Sequence, residues 1–506
     1  MKKPRLRIKR KKNNSHGTRL IIGVFGGIFL LFAAFLAISD AAGYRGREYL
    51  LPQGVSVAGI PLGNLNEAAA AERLRGVYDL PVELRYGGAR MQFLPQDLGF
   101  KADYAATLQA IRDEARGGSW WSHLWGAKGE ELNQDFKLIS SWEPNQARSF
   151  LEGQLAPRYD RPARAPAPYL QNTIFNPGAP GTAADLNASL GAIEAALTSA
   201  TQRVAALRVQ ESPAPPLDPA AVLLALEANV RAEKFDGLVE VYTQRLSDGL
   251  TQHLALQNYQ PVPPDVAYSG ASTIKIPIMV SSYRRLDEPI GNLALGWLQA
   301  MMYRSSNDAS DALMRNLMDE QRGPLVVTRD MRELGYEDTF MAGYFLPGSV
   351  LLERVNTPAN TRRDIYLDPD FFNQTVPSEI GDLLGRIYRC AADKQTLFQD
   401  EVSVAECNSM LDLMAQNRIG TLIEAGLPPE ARTAHKHGWT VDLDGLLRTM
   451  SDSGIVFTPG GDYVMVVFVH TNEQLIFERG NRLIARLAQT LYNSYNLNAQ
   501  AAWPFE

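Results

Sequence analysis

Residues 20–38, LIIGVFGGIFLLFAAFLAI, contain no charged side chain. As a helix this run would be about 28 Å long, which matches the hydrocarbon core of a bilayer. The first nineteen residues carry nine lysines and arginines and no acidic residue, a flank that favours the cytoplasmic side. The sequence therefore predicts a cytoplasmic tail over 1–19, a transmembrane helix over 20–38, and an extracytoplasmic chain after Asp40. The alternative is a cleaved signal peptide, because Ala37-Ile38-Ser39 resembles a cleavage site, although the apolar region of such peptides usually has about 7–15 residues.

The rest of the chain has an ordinary globular composition and an acidic balance. Of 506 residues, 45% are hydrophobic and 21% are charged, which leaves room for two to four domains. The formal net charge is −6, and it becomes −15 when the nine basic residues of the tail are set aside. A body this acidic is a poor partner for nucleic acid, so we expect no nucleic-acid binding.

The chain has two cysteines, Cys390 and Cys407. Both follow the predicted span and would lie outside the cytoplasm, where disulfides persist. If helices bring them together, a bridge closing so short a loop would stabilise the fold by about 3 kcal/mol. Two unrelated buried thiols are the alternative.

An internal repeat follows the apolar run. Residues 93–111, FLPQDLGFKADYAATLQAI, align without a gap to residues 175–193, FNPGAPGTAADLNASLGAI. Each copy has an extended segment and a Pro/Gly turn, and an amphipathic helix follows an aspartate, Asp103 or Asp185, at the N-cap position. The coincidence along the whole stretch predicts two copies of one structural unit.

Each copy is part of a small α+β module. Helices that begin near Asn66 and Glu143 precede the two copies, and β-rich segments follow them. The pattern predicts one module over residues 50–140 and a second over residues 141–209.

A proline-rich stretch, QESPAPPLDP at residues 210–219, predicts a stiff linker and a domain boundary. Residues 220–506 then show a helix, a strand pair joined through Ser247-Asp248-Gly249, a long helical middle, two late strands and a C-terminal helix. Strands at both ends of a helical centre predict an α+β domain whose sheet joins its two ends.

The stretch YSGASTIKIPIM at residues 268–279 places Lys275 three positions after Ser272. On a helix these positions share a face, so the amine can lie beside the hydroxyl. A desolvated lysine has a lowered pKa and can accept the serine proton, and a helix N-terminus favours the developing negative charge. The alternative is a serine near a helix start followed by a solvated lysine. Pro277 falls past the first turn of such a helix, where its missing N–H would bend it.

Two later motifs give this pair a context. A Ser-x-Asn sequence contains Ser305 and Asn307, and a Lys-x-Gly sequence contains Lys436 and Gly438. In this order the three motifs resemble those of the class A β-lactamase and penicillin-binding protein family, over roughly the last 280 residues. The resemblance implies an α+β fold with an antiparallel sheet flanked by helices and a helical subdomain.

The resemblance also implies a role for each residue. Ser272 would be the nucleophile, Lys275 its base, and Ser305 the group that passes a proton to the leaving nitrogen. Lys436 would raise the local positive potential, and Gly438 would let the substrate lie against the strand. The residues implied in substrate binding are Asn307, Lys436, His437, Gly438 and Asn373.

Two positions of the motifs depart from the family pattern. His437 stands where the family has serine or threonine, whose hydroxyl binds the substrate carboxylate, so we expect weak binding of penicillin-like acids. His435 and His437 lie on one strand face and could be a metal pair, but no third ligand lies near in sequence. Ser306 stands where many members have aspartate.

The loop that activates water in class A enzymes also has a counterpart. TRRDIYLDPDFFN, residues 361–373, resembles that loop, but Asp368 and the following proline stand one residue away from the expected Glu-Pro. Asn373 would close the motif. Asp368 is either the base that releases the acyl group or a structural loop carboxylate, and in the second case the acyl-enzyme would be long-lived, as in a penicillin-binding protein.

The N-terminal modules have a resemblance of their own. Residues 54–74, GVSVAGIPLGNLNEAAAAERL, and the two Phe-x-Pro segments are similar to peptidoglycan-binding repeats of membrane-anchored wall proteins. The resemblance implies peptidoglycan as a partner. The alternative is a spacer that holds the last domain away from the membrane.

Together these features predict a single-pass membrane protein with its catalytic domain outside the cytoplasm. We expect a serine hydrolase that acts on β-lactams or peptidoglycan-type amides through Ser272. A D,D-peptidase or transpeptidase and a catalytically inactive wall-binding scaffold are the alternatives. No metal or organic cofactor is implied.

Overall fold

The computed structural model describes residues 27–39, 49–115, 132–442 and 444–504. Residues 27–39 form a helix whose large apolar side chains are exposed. The basic tail and residues 20–26 of the predicted span lie outside the described residues. In the described ranges, no helix is both long enough and apolar enough to cross a membrane.

The chain divides into two compact units. The first contains the described residues up to Pro162 together with Gly181–Ser212, and the second contains Ala163–Pro180 together with the chain from Pro213 onward. The segment 163–180, which we predicted within the second α+β module, is thus grouped with the C-terminal unit.

Between residues 49 and 212, the described ranges contain four helices and twelve short strands. The helices are α1 (Glu67–Tyr78), α2 (Tyr104–Ala115), α3 (Pro144–Tyr159) and α4 (Leu186–Thr198). The strands are β1 (Ser56–Val57), β2 (Ile60–Pro61), β3 (Val82–Tyr86), β4 (Ala89–Phe93), β5 (Phe100–Ala102), β6 (Asp135–Phe136), β7 (Ser140–Trp142), β8 (Ala167–Pro168), β9 (Phe175–Asn176), β10 (Gly181–Asp185), β11 (Val204–Ala206) and β12 (Arg208–Ser212). β8 and β9 form an antiparallel hairpin that belongs to the second unit.

The repeated helices begin as the sequence predicts. The Asp103 carboxylate accepts the Ala106 N–H at 2.8 Å before α2, and the Asp185 carboxylate accepts the Ala188 N–H at 2.9 Å before α4. Each bond satisfies one of the amides left free at a helix start.

The two predicted modules share one sheet. β11 pairs in parallel with β3, and β3 pairs with β4, so a strand from the second module completes a sheet that the first begins. The predicted boundary at residue 140 therefore divides a continuous unit. Because sheet pairing joins segments about 120 residues apart, no local pattern reveals it.

The predicted linker is shorter than its composition suggests. Residues 210–212 belong to β12, which pairs with β10 along its whole length. The backbone hydrogen bonds of that ladder hold them in the first unit, and the second unit resumes at Pro213. The next helix begins at Pro219, with Asp218 as its N-cap.

The second unit contains the larger core. Its helices are α5 (Pro219–Ala232), α6 (Lys275–Tyr283), α7 (Asn292–Tyr303), α8 (Asn307–Leu313), α9 (Gly323–Glu333), α10 (Pro377–Ala391), α11 (Val404–Ala415) and α12 (Phe477–Tyr495), and a π-helical turn, Met314–Met318, follows α8. Its strands after the hairpin are β13 (Leu238–Arg245), β14 (Thr251–Gln257), β15 (Gln260–Pro261), β16 (Tyr268–Ser269), β17 (Phe340–Met341), β18 (Asn373–Thr375), β19 (Arg432–Val441), β20 (Leu447–Phe457) and β21 (Tyr463–His470).

A six-stranded antiparallel sheet organises this unit. Its order is β15-β14-β13-β21-β20-β19. β13, near the start of the unit, pairs with β21, near its end, which confirms that the sheet joins the two ends. Alternate residues of β13 face two cores: Leu238 and Tyr242 pack with α6 and α10, whereas Val239 and Val241 pack with α5 and α12. The fold is thus mixed, with helical layers on both faces of the sheet.

The two cysteines form a disulfide. Cys390 near the end of α10 and Cys407 in α11 are bridged, with their Cα atoms 5.9 Å apart. The bridge joins two adjacent helices of the larger core.

Candidate active site

The start of α6 holds the serine and lysine of the first motif. Ser272 lies in the turn before the helix, and Lys275 is the first helical residue. We expected Pro277 to fall past the first turn, and this was wrong. Because the helix begins at Lys275, Pro277 occupies the first turn, where backbone N–H groups have no partner within the helix. All nine residues of α6 are buried, so the helix is fixed by packing on every side.

Two motif residues contact the Ser272 hydroxyl, and a third holds one of them in place. The Lys275 amine donates to Ser272 Oγ at 2.8 Å and to Asn307 Oδ1 at 2.7 Å. It lies 3.4 Å from Ser305 Oγ, and Ser305 Oγ donates to Ser272 Oγ at 2.7 Å. The hydroxyls of Ser272 and Ser305 and the amine of Lys275 thus form a hydrogen-bonded triangle. The side-chain oxygen of Asn307 lies outside this triangle and holds the Lys275 amine in place.

The environment of Lys275 favours its neutral form. Its side chain is fully buried, and burial together with the nearby Lys436 lowers its pKa to about 7, although Asp311 opposes the change. The Phe345 ring covers the amine, with its centre 4.8 Å from Nζ. Burial lowers the pKa of Lys436 to about 7 as well, against the effect of Asp452. A base that is partly deprotonated near neutral pH therefore touches the candidate nucleophile.

The second motif is held by an unusual backbone and a helix cap. Ser305 has a φ of +53°, in the left-handed region that non-glycine residues rarely adopt. The next residue, Ser306, caps α8 by accepting the Ala309 N–H at 3.2 Å. Aspartate is an equally good N-cap, so the departure at Ser306 preserves the start of the helix that presents Asn307.

The third motif lies on the edge strand β19, against the turn of Ser272. A Cβ atom at Gly438 would lie 2.8 Å from Thr273 Oγ1 and 2.8 Å from Ser451 Oγ, closer than real contacts allow. Glycine therefore permits the strand to approach the residue next to Ser272. Lys436 is buried on the same strand and donates to the His437 carbonyl at 3.1 Å.

His437 differs chemically from the residue that it replaces. Its ring stacks on Trp439 at 4.6 Å, and Nδ1 lies 3.3 Å from Asn417 Nδ2. Burial and the positive charge of Lys436 lower its pKa to about 3. The ring is therefore neutral at physiological pH and brings no positive charge to the strand.

His435 and His437 do not act as a metal pair. His435 Nδ1 lies 2.9 Å from an Asp452 carboxylate oxygen, and its Nε2 lies 2.7 Å from the Asn417 carbonyl. Both ring nitrogens are thus engaged within the protein.

In the loop at residues 361–373, the carboxylates of Asp368 and Asp370, on either side of Pro369, have different partners. Asp368 is exposed, has a φ of +50°, and accepts a hydrogen bond from the Tyr366 hydroxyl at 3.3 Å. Asp370 instead accepts the Asn373 side-chain amide at 3.0 Å, while its backbone N–H donates to Ser269 Oγ at 2.7 Å. Burial raises the pKa of Asp370, and Asp442 adds to the effect. The carboxylate that contacts Asn373 is thus that of Asp370, while the role of Asp368 as a base stays a prediction.

Sequence reasoning missed Asp311 and Phe345, two further residues near Lys275. The buried Asp311 carboxylate accepts the N–H groups of Phe345 and Leu346, each at 2.9 Å, and so fixes the loop that covers the lysine. This loop and Asp370 line a cavity of about 260 Å³. Asp311 lies 34 positions before Phe345, so no sequence spacing signals the contact.

Comparisons with known proteins give a family for the C-terminal part. Residues 294–495 match the model of the beta-lactamase enzyme family, a range that includes Ser305, Asn307, Lys436 and Gly438. No curated protein matches the chain in sequence.

Several solved structures resemble part of this chain. PBP-A is 21% identical over 56% of this chain and 98% of its own, with a TM-score of 0.39. The TLA-3 extended-spectrum beta-lactamase is 16% identical over 56% of this chain and 100% of its own, with a TM-score of 0.41. A class A beta-lactamase from Bacteroides cellulosilyticus DSM 14838 is 16% identical over 54% of this chain and 97% of its own, with a TM-score of 0.39. The part of the chain that resembles the beta-lactamase enzyme family is residues 294–495, the range that the family model matches.

Proposed function

We propose that this chain is a serine acyl-transfer enzyme that attacks β-lactams or peptidoglycan-type amides through Ser272. The observation that supports it most directly is the triangle of Ser272, Lys275 and Ser305, in which a buried amine touches both hydroxyls. A solvated lysine beside a capping serine would not need this burial or these contacts.

The reaction begins with a proton transfer. Neutral Lys275 accepts the Ser272 proton at 2.8 Å, and Ser272 Oγ forms a bond to the carbonyl carbon of the substrate. Two backbone N–H groups stabilise the oxyanion, one from Ser272 and one from the edge strand after Gly438. The C–N bond then breaks, and the leaving nitrogen takes a proton through Ser305, which Lys275 reprotonates. Lys436 adds positive charge beside this path.

The same triangle fits two fates of the acyl-enzyme. A lactamase hydrolyses it, whereas a D,D-peptidase or transpeptidase keeps it until a second nucleophile arrives. Asp368 is exposed and accepts a hydrogen bond from the Tyr366 hydroxyl. This favours the second fate, in which the acyl-enzyme is hydrolysed slowly, unless Asp370 supplies the base. The neutral His437 favours amides that do not depend on a carboxylate at that position.

We also propose that the N-terminal segment anchors the enzyme in the cell membrane, with the N-terminus in the cytoplasm and the catalytic domain outside. The helix at residues 27–39 exposes Ile28, Phe29, Leu30, Leu31 and Phe32, which favours an apolar surrounding. A disulfide between Cys390 and Cys407 is consistent with an oxidising compartment. The first unit would bind peptidoglycan or act as a spacer. Membrane fractionation that places the full chain in the soluble fraction would contradict the anchor.

A labelling experiment tests the proposed chemistry. The full-length chain is incubated with a fluorescent penicillin and with a chromogenic cephalosporin, beside Ser272→Ala and the matched control Ser247→Ala on an exposed turn. We expect labelling of the wild type and of the control and none of Ser272→Ala. Rapid turnover of the cephalosporin would indicate a lactamase, and stable labelling would indicate a peptidase. Equal labelling of Ser272→Ala would refute the nucleophile, and no labelling of any chain would favour the inactive scaffold.

A further inference from the structure

A cluster of metal-ligating side chains lies outside the Ser272 site. It consists of Glu240 in β13, His253 in β14 and Asp265 in the segment before β16. One ligand atom from each residue lies within 4.8 Å of the others. In the part of the chain that the structure describes, this is the only such group of three.

Strand pairing brings the first two residues together. His253 lies opposite Tyr242 in the antiparallel ladder, and Glu240 comes two residues before Tyr242 on the same face of β13. Glu240 is therefore a diagonal neighbour of His253. The third residue arrives because the chain folds back over them: the N–H groups of Asp265 and Val266 donate to the two Glu240 oxygens at 2.5 Å and 3.3 Å. The three side chains are therefore fixed by backbone contacts and not by chance proximity on a flexible surface.

The directions of the polar atoms point to a missing partner. His253 Nε2 lies 2.8 Å from Glu240 Oε1, yet it makes no hydrogen bond of normal geometry. The Tyr268 hydroxyl, whose residue is 1% exposed, interacts with Glu240 but makes no hydrogen bond of normal geometry among the described residues. The Glu240 oxygens accept the two backbone N–H groups, and the Asp265 carboxylate accepts the Ser378 N–H at 3.2 Å. The polar atoms left unsatisfied at the cluster are therefore His253 Nε2 and the Tyr268 hydroxyl, and buried polar atoms of this kind favour a further partner.

Charge favours a cation at that point. Glu240 is fully buried, and within the described residues no lysine or arginine pairs with its carboxylate or with that of Asp265. Arg362 lies nearby, but its guanidinium donates to the carbonyls of Pro264 and Asp265 and to the Asp364 carboxylate. The cationic partner available to Glu240 is His253, at 2.8 Å, and only when that imidazole is protonated. Beside a neutral imidazole, the buried Glu240 carboxylate is costly without a cation.

We propose that Glu240, His253 and Asp265 bind one divalent cation of the zinc type. One imidazole nitrogen and two carboxylate oxygens form a ligand set that Zn²⁺ accepts, with water at an open position reached through the partly exposed His253 and Asp265. The ion would join β13 and β14 to the segment that leads into β16 and Ser272. Its role is structural, and the proposal does not depend on the acyl-transfer reaction.

Zinc titration of the metal-stripped full chain tests the site. We expect the wild type to bind one equivalent of Zn²⁺ in calorimetry and to melt at a higher temperature with it. Asp265→Asn and His253→Ala should each weaken zinc binding at least about 100-fold. Loss of a residue that only hydrogen-bonds to a ligand already costs about 10–100-fold in metal affinity, and loss of the ligand itself costs more. Asp248→Asn, the same kind of change on the turn of the same hairpin, should bind as the wild type does.

X-ray absorption on the zinc-loaded wild type gives a readout that does not rely on a variant. We expect one nitrogen and two carboxylate oxygens at about 2.0–2.2 Å. Circular dichroism of the metal-free variants checks that they are folded. Absence of zinc binding by the wild type, unchanged binding by both ligand variants, or a shell without a nitrogen ligand would each overturn the proposal.

Discussion

The hydroxyl of Ser305 lies 2.7 Å from the hydroxyl of Ser272, although the two residues are 33 positions apart. Ser305 makes this contact from a left-handed backbone conformation, with a φ of +53°. Strain of this kind persists where the surrounding structure enforces it, and it is common at functional sites. The Lys275 amine completes the arrangement from the other side.

The pH dependence of acylation should follow Lys275. Because its pKa is lowered to about 7, we expect the acylation rate to rise with pH to a midpoint near 7 and then to level off. Lys275→Ala and Ser305→Ala should each reduce acylation by about 10²–10⁴-fold, the usual contribution of a positioned proton-transfer group. Stopped-flow acylation across pH 5–9 measures both effects.

Lys436 offers a control for that assignment. Its positive charge lowers the pKa of Lys275, so Lys436→Gln should move the midpoint to higher pH. A midpoint that stays in place or falls would contradict the coupling between the two lysines.

Deacylation should depend on Asp370 more than on Asp368. Both residues are exposed, but the Asp370 carboxylate accepts the Asn373 amide and its partial desolvation raises its pKa, whereas the Asp368 carboxylate accepts the Tyr366 hydroxyl. We expect Asp370→Asn to prolong the life of the acyl-enzyme by at least about tenfold, the lower range for loss of a general base, and Asp368→Asn to change it less than about twofold. Intact-protein mass spectrometry after a penicillin pulse follows the acyl group. The reverse ranking would restore Asp368 as the base.

Restoring a hydroxyl at position 437 should improve the recognition of acids. His437 is neutral and stacked on Trp439, and it lacks the hydroxyl that the resembled family uses for a carboxylate. A hydrogen bond to a charged group contributes about 1.5–3 kcal/mol, so His437→Thr should raise kcat/KM for penicillins by at least about tenfold. An ester of the same penicillin, which has no free carboxylate, is the control. An equal gain for acid and ester would show that the change acts through packing instead.

The buried lysines should make the fold more stable at alkaline pH. The folded pKa of Lys275 is about 7, whereas an unfolded lysine keeps its proton to about 10.4, so the unfolded state binds more protons between these values. The free energy of unfolding should therefore rise with pH from about 7 to about 10, by at most about 1.4 kcal/mol per pH unit for each lysine. Urea unfolding across that range measures the slope, and Lys275→Met should reduce it. A slope that Lys275→Met leaves unchanged would count against a lowered pKa at Lys275.

Loss of the disulfide should destabilise the second unit. Cys390 and Cys407 close a loop with a sequence separation of 17 residues. Replacing both with alanine should lower the free energy of unfolding by about 3 kcal/mol in the chain-entropy model. Denaturant unfolding of the double variant measures this, with reduction of the wild type as an independent check. Equal stability of oxidised and reduced wild type would contradict the prediction.

Much of the fold follows from local pattern in the sequence. Asp103 and Asp185 predict the starts of α2 and α4, because an aspartate before an amphipathic run has few alternatives to capping it. The turn sequence that ends at Gly249 predicts the hairpin of β13 and β14. In the structure Gly249 has a φ of +78°, a backbone conformation that suits glycine best. The order of elements predicted that β13 would join the late strands, but not the pairing of β11 with β3, because no local signal marks these two distant partners.

The sequence by itself determined which chemical groups are present and in what order. Three short motifs placed Ser272, Lys275, Ser305 and Lys436 as candidates, and one apolar run indicated an anchor. Only the tertiary structure decided how those groups behave: burial lowers the pKa of Lys275, the approach of β19 requires glycine at Gly438, and Asn373 donates to Asp370. It also brought Glu240, His253 and Asp265 together from three separate segments. The physical reason is that pKa and hydrogen-bond partner depend on desolvation and distance, which the folded core sets and residue spacing does not.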